Sequence, residues 1–268
     1  MKSFLLALVF IVASAICVFA ADLPSGTRRL TVADLMVADL TVAVAANVQF
    51  TFEELQAEFQ KETGITIRPV IGSSGKFVAQ IENGAPFDVF LSADTEYPVT
   101  LQKEGLTYND PKIYAYGTLV LWTMNNFDLS KGIEVVNDPA VRKISIATPA
   151  TAPYGRQAVN ALKHYQLYQK VHNKFVYGES VAQANQFITT KAADIGFTAK
   201  SVVLAPNMKD QGQWIEINTE SYEPIAQAAV ILKHAQKSNL EAAQKFFDFL
   251  YSPQAGEIFK KYGYILPN

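Results

Sequence analysis

The sequence predicts an α/β protein built as two lobes joined by crossover strands. Two patterns predict it. Strand and helix signals alternate in two separate sets, and a long strand-like stretch falls at each place where the alternation changes character. The first set opens with Leu40 to Ala45 (LTVAVA), a continuous apolar run of the kind expected in a strand buried on both faces. Val48, Phe52, Leu55 and Phe59 then recur at helical spacing, with Glu53 and Glu54 in the early turns and Gly64 as the stop. Ile65 to Ile71 reads as a strand, the segment after Gly72-Ser73-Ser74-Gly75 as a short helix ending at Asn83-Gly84, and Asp88 to Leu91 as a strand.

Tyr114 to Met124 (YAYGTLVLWTM) is the first long strand-like stretch. A second α/β set follows. Its strands are Ile144 to Ala147, Phe175 to Tyr177, Asp194 to Phe197 and Gln213 to Ile217, and its helices run from Tyr154 to Tyr165 and from Val181 to Thr190. Pro224 to Leu232 is the second long apolar stretch. The C-terminus is helical, with Leu240, Phe247 and Leu250 on one face and Ser252-Pro253 as cap and first-turn proline of the last helix. These signals place a first lobe over 40–115 and 231–268 and a second over 116–230, crossover strands included.

Lys2, the apolar run from Phe4 to Val18 and the small residue Ala20 have the order of a secretory signal peptide over 1–20, with an extension over 21–39 before the first strand. The run is short of the ~20 residues that a membrane span needs. Export implies a periplasmic location. The only cysteine, Cys17, lies inside that run, so the mature chain has no disulfide, thiolate metal site or cysteine nucleophile. A net charge of −2 and a pI near 6.0 lack the basic footprint of a nucleic-acid binder.

Four loops join a strand end to a helix start, the position where open α/β sheets bind ligands. A helix N-terminus offers unpaired N–H groups and a partial positive charge, which suit an anion. The loops are Ala45-Ala46-Asn47, Gly72-Ser73-Ser74-Gly75, Ala152-Pro153-Tyr154-Gly155 and Gly178-Glu179-Ser180-Val181. Asn47 and the serines are also ordinary caps, and Val181 is ordinary packing, so each signal alone is weak. Together they place two loops on each lobe, and an anion held between them meets N–H groups and hydroxyls without a counter-charge. Lys76, Arg68 and Arg156 lie near these loops and read as solvated surface charge.

The segment from Leu40 to Asp94 resembles the periplasmic molybdate-binding proteins of ABC transporters. It carries AAN, F-x-x-x-T-G, IGSSGKF and AQIENGAPFDVFLSAD, and the likeness continues through AYGTLVLW, APYG, ESVAQA, ADIGF, YEPIAQAAVI and SPQAGEIFKKYGYILP. The resemblance implies a type II periplasmic-binding-protein (Venus-flytrap) fold. It implies molybdate or tungstate held by hydrogen bonds, with no cofactor, no bare metal cation, a membrane permease as partner and a monomeric state. Carried over by position, it implies Ala46 or Asn47, Ser74, Tyr154 and Val181 as ligand-binding residues, with Ser73 and Thr198 as additional candidates. Whether Asn47 and Tyr154 act by side chain or backbone is open at this point, and a Tyr154 phenol donor is one expectation.

Other classes fit less well. A phosphate loop needs Ser or Thr after the lysine of Gly75-Lys76 and a glycine five residues before Gly75, where Phe77 and Val70 stand. No segment fits the G-x-S-x-G elbow of a serine hydrolase, and His164, His172 and His234 lie at polar helix ends. A binder of chromate, sulfate, phosphate or an organic solute is the closer alternative. An enzyme is not expected.

Overall fold

A computed structural model describes residues 40–267; the expected signal peptide and extension lie outside the described residues. The chain forms two five-stranded mixed sheets, each flanked by helices. In the first sheet β1 (Leu40–Ala45), β2 (Ile67–Gly72) and β3 (Val89–Leu91) are parallel, as helical returns between them require. The returns are α1 (Gln49–Thr63) and α2 (Ser74–Glu82). A further helix, α3 (Glu96–Lys103), follows β3. Every residue of β1 is buried, which is why its sequence lacks polar alternation. Phe52, Leu55 and Phe59 form the buried stripe of α1, and Gly64 closes it in the left-handed conformation (φ 73°).

The long stretch after α3 is two strands, not one. β4 (Lys112–Gly117) belongs to the first sheet and β5 (Leu119–Thr123) to the second, with Thr118 alone between them. The second sheet repeats the first one's plan. Its parallel strands are β6 (Ile144–Ala147), β7 (Phe175–Gly178) and β8 (Ile195–Ala199), with α4 (Pro153–His164) and α5 (Val181–Thr189) as returns. β5 runs antiparallel to β8 and to β9 (Gln213–Glu216). A four-residue helix, α6 (Lys200–Val203), follows β8.

After β9 the chain returns to the first sheet, where β10 (Ile225–Ile231) inserts antiparallel between β3 and β4. α7 (Leu240–Phe249) and α8 (Pro253–Lys261) pack on that side. Phe246 of α7 meets Phe52 and Phe59 edge-on at 5.8 and 5.2 Å, and Ser252 caps α8 through the Ala255 N–H. The sheets correct the expected lobe boundaries. β4 stays in the first sheet through Gly117, and β10 lies in it along its whole length, so residue 225 rather than 231 opens the C-terminal part of the first lobe. The reason is physical: an apolar run buried on both faces carries no mark of which sheet it enters. No helix among the described residues is long and apolar enough to cross a membrane.

Candidate functional site

The carboxyl ends of β1, β2, β6 and β7 lead into four helical starts that surround one small cavity. Ala46, Asn47, Ser73, Ser74, Tyr154 and Val181 all line it, together with small or apolar neighbours such as Gly72, Ala93 and Pro153. Residues separated by more than a hundred positions are thus brought together from both sheets. Thr198 is not among the lining residues. It is fully buried in β8, where its hydroxyl donates to the Asn185 side chain at 2.5 Å, so the fold spends it inside the second lobe.

Each start has a local cause. Beyond β1 a single 3-10 turn, Ala46–Val48, carries the chain into α1 with Asn47 buried. At the end of β2, Gly72 leaves room for the Phe77 ring, which a Cβ would approach to 2.9 Å. Ser73 is the N-cap of α2, yet its side chain makes no capping bond, and its Oγ is buried without a protein partner. Ser74 differs. Its Oγ accepts from the Ala93 N–H at 3.0 Å, which leaves its own proton free to donate.

In the second lobe, Pro153 opens α4 at a position where the missing N–H is no loss, and Tyr154 follows in the first turn. Ser180 caps α5 by accepting from Gln183 N–H at 3.4 Å, and Val181 is the first helical residue. First-turn N–H groups have no acceptor within their helix, so these positions are donors in want of an anion or water.

The Tyr154 phenol is placed elsewhere than the sequence expectation of a ligand donor. A Cβ on Gly117 would collide with its hydroxyl, and the side-chain amide of Gln227 lies 3.4 Å from it, so the ring reaches across to the crossover strands β4 and β10. Burial holds this hydroxyl's pKa well above its ordinary value. The Tyr154 N–H, in the first turn of α4, has no acceptor within that helix.

Among the described residues no charged side chain lines the cavity. The charges sit at its rim, in pairs that join the two lobes. Lys76 of α2 meets Glu179 at 2.5 Å, and Arg156 of α4 meets Glu96 and, at 3.4 Å, Asp94. Burial raises the Asp94 carboxyl above its usual range, against the pull of the Tyr97 N–H, Ser92 and Arg156. Two further contacts cross the same gap: Gly75 N–H to the Thr151 carbonyl at 2.9 Å, and the Tyr97 hydroxyl to the Ala150 carbonyl at 3.1 Å. Lys76 and Arg156 therefore bind carboxylates of the opposite lobe, while Arg68 donates to the Thr41 hydroxyl at 2.9 Å.

Behind the cavity lies a buried polar network that the sequence reading missed: Gln227, Tyr114, Tyr264 and Ser201 around Asn47. The signal was present. Gln227 is the one amide in the apolar run of β10, and a fully buried glutamine demands partners.

Two α/β lobes, joined by crossing strands and facing each other over a cavity of uncharged donors, define a solute-binding protein. The profile of the bacterial extracellular solute-binding proteins matches residues 40–265, and the chain belongs to that family. It is 40% identical over 228 residues to the molybdate-binding protein ModA of Azotobacter vinelandii, covering 85% of this chain and 90% of that protein. To ModA of Rhodobacter capsulatus it is 38% identical over 229 residues, covering 85% and 88%. The solved structure of the Azotobacter vinelandii periplasmic molybdate-binding protein superposes with a TM-score of 0.79 at 36% identity, over 86% of this chain and all of that one.

Proposed function

We propose that this protein captures molybdate, and tungstate with it, outside the cytoplasm and delivers the anion to the membrane permease of an ABC importer. The observation that carries this reading is the buried Ser73 hydroxyl, which lacks a protein partner in a cavity ringed by helix starts and free of charged side chains. Such a site favours a ligand that offers only acceptors. A fully ionised tetrahedral oxyanion meets that demand on every face, whereas a carboxylic solute has an apolar remainder that this small cavity does not accommodate. The relatives named above support molybdate among such anions.

The donors are neutral because reversible capture requires it. A buried lysine or arginine would bring a desolvation penalty of several kcal/mol and a binding energy hard to release. Helix starts instead present partial charges already fixed by the fold. Ala46, Asn47, Ser73 and Ser74 hold the anion from the first lobe, and the backbone of Tyr154 and Val181 closes on it from the second. Rotation about the crossings at Thr118 and 217–224 brings the lobes together, and the rim contacts form as they meet. No bond of the ligand is made or broken.

Calorimetric titration of the mature protein with molybdate, tungstate, sulfate and phosphate tests the proposal. Strong binding of the first two, and binding of sulfate weaker by at least about 100-fold because shorter bonds leave its oxygens far from the donors, is the expected result. Preference for sulfate or chromate would replace the ligand, and no binding of any oxyanion would refute the reading.

A further inference from the structure

The protons available around Asn47 assign a role to Gln227, a residue that does not itself line the cavity. Gln227 is fully buried in β10 and meets polar groups from three other elements. One end of its amide lies 2.7 Å from the near end of the Asn47 amide and 3.0 Å from the Tyr114 hydroxyl. The other end lies 3.4 Å from the Tyr154 hydroxyl. Tyr114 also lies 3.0 Å from the Ser92 carbonyl oxygen.

A carbonyl oxygen only accepts, and a tyrosine has one proton to give. If Gln227 turned its oxygen toward Tyr114, that proton would be required by two acceptors at once. Asn47 would have to donate to the same oxygen, and its far end, which has no protein partner, would then be the acceptor Oδ1. The two ends of a primary amide have the same shape, so hydrogen bonding decides which end is nitrogen. Reversing both amides ends the competition for the Tyr114 proton, and it gives up the long 3.4 Å contact in which the near end of Asn47 donates to the Tyr264 hydroxyl. Tyr114 donates to Ser92, Gln227 Nε2 donates to Tyr114 and to Asn47 Oδ1, and Tyr154 donates to Gln227 Oε1. Asn47 Nδ2 then occupies the end that has no protein partner, on a residue that lines the cavity.

We propose that Gln227 is a positioning residue that sets the polarity of the site, holding Asn47 so that its NH2 group, not its carbonyl, is the end offered to the ligand. This rests on the oxyanion reading above. The Tyr154 phenol gains a role as well, since its proton fixes the orientation of Gln227 from the second lobe, across the junction of the two.

The test is Gln227→Glu. A carboxylate only accepts, so it draws Asn47 Nδ2 back toward β10 and turns Oδ1 toward the ligand. Molybdate binding then weakens about 10- to 100-fold. Hydrogen phosphate carries a proton that it can give to Oδ1 and loses less, so the molybdate-to-phosphate ratio of affinities falls at least about tenfold. A merely structural role would weaken both anions alike, and an unchanged ratio in a folded variant overturns the proposal. Should the variant fail to fold, the unaltered protein answers by nuclear magnetic resonance. The Asn47 side-chain NH2 resonances shift strongly on adding molybdate if that group meets the ligand; if they do not move, the proposal is wrong. Absence of oxyanion binding in the unaltered protein would overturn the functional reading as well, whereas normal binding with an unchanged ratio overturns this inference alone.

Discussion

Replacing Ser73 by Ala separates what the fold needs from what the ligand needs. A serine N-cap ordinarily contributes about 1 kcal/mol through its bond to the helix backbone. Ser73 makes no such bond, and its Oγ has no protein partner, so the substitution leaves no group of the protein orphaned. The free protein should keep its stability to within about 0.5 kcal/mol. To a dianion, however, a buried hydroxyl donor is worth about 1.5–3 kcal/mol, or about 10- to 150-fold in Kd. Ligand stabilisation follows the logarithm of concentration over Kd, so the molybdate-induced gain shrinks by the same energy. For a protein of this size that is a loss of roughly 3 to 12 °C from the ligand-induced shift in Tm. Calorimetry with paired thermal melts, with and without molybdate, reads both quantities. Unchanged affinity, or a free protein destabilised as much as the loaded one, would refute the reasoning.

Ser74→Ala should fail on both counts, because it removes a ligand donor and also the acceptor of the Ala93 N–H; melts of the free protein should fall by about 1–3 kcal/mol. Gly75→Ala places a Cβ 2.6 Å from the Tyr97 hydroxyl and 2.9 Å from the Thr151 backbone, so the lobes cannot meet; affinity should drop about tenfold or more, and X-ray scattering with ligand should show a more open particle. Lys76→Met removes a half-exposed ion pair with Glu179 and should weaken binding no more than about 5-fold, the difference vanishing in high salt. Tyr154 is the one titratable side chain among the lining residues, and burial keeps it protonated, so molybdate affinity should be flat from about pH 6 to about pH 9. Stability behaves differently. Tyr114, Tyr154 and Tyr264 (pushed up to about 12) are all raised in the folded state, so their contribution is full below about pH 10 and is lost as pH climbs through their folded values; melts across that range check the sign.

The sequence carried the elements that bury an apolar pattern, and lost those whose meaning lies in a partner. LTVAVA, the α1 stripe and the Ser252-Pro253 cap are all local statements, and each stands in the fold where its pattern implied. YAYGTLVLWTM was also read correctly as extended chain, but Thr118 divides it between two sheets, and nothing in its hydropathy marks the division. The four loops were legible because strand-to-helix junctions have a composition of their own. The side-chain directions within them were not. The Tyr154 phenol turns to Gln227, 73 positions away, and Lys76 turns to Glu179, 103 positions away. Such pairings are products of the closed topology. Thr198 was misplaced for the same reason, since a threonine at a strand end can face a cleft or, as here, a neighbouring helix.

The position of β10 also governs the order in which this molecule can be completed. Among the described strands β4 pairs with β10 alone, which is translated more than a hundred residues later, whereas β5 to β9 assemble from one continuous stretch. As the polypeptide emerges N-terminus first, the inserted half can therefore finish while β3 and β4 still stand apart with a vacant slot between them. That interval, with two unpaired backbone edges and the apolar face awaiting α7 and α8, is when the nascent chain is most open to aggregation and most in need of a chaperone.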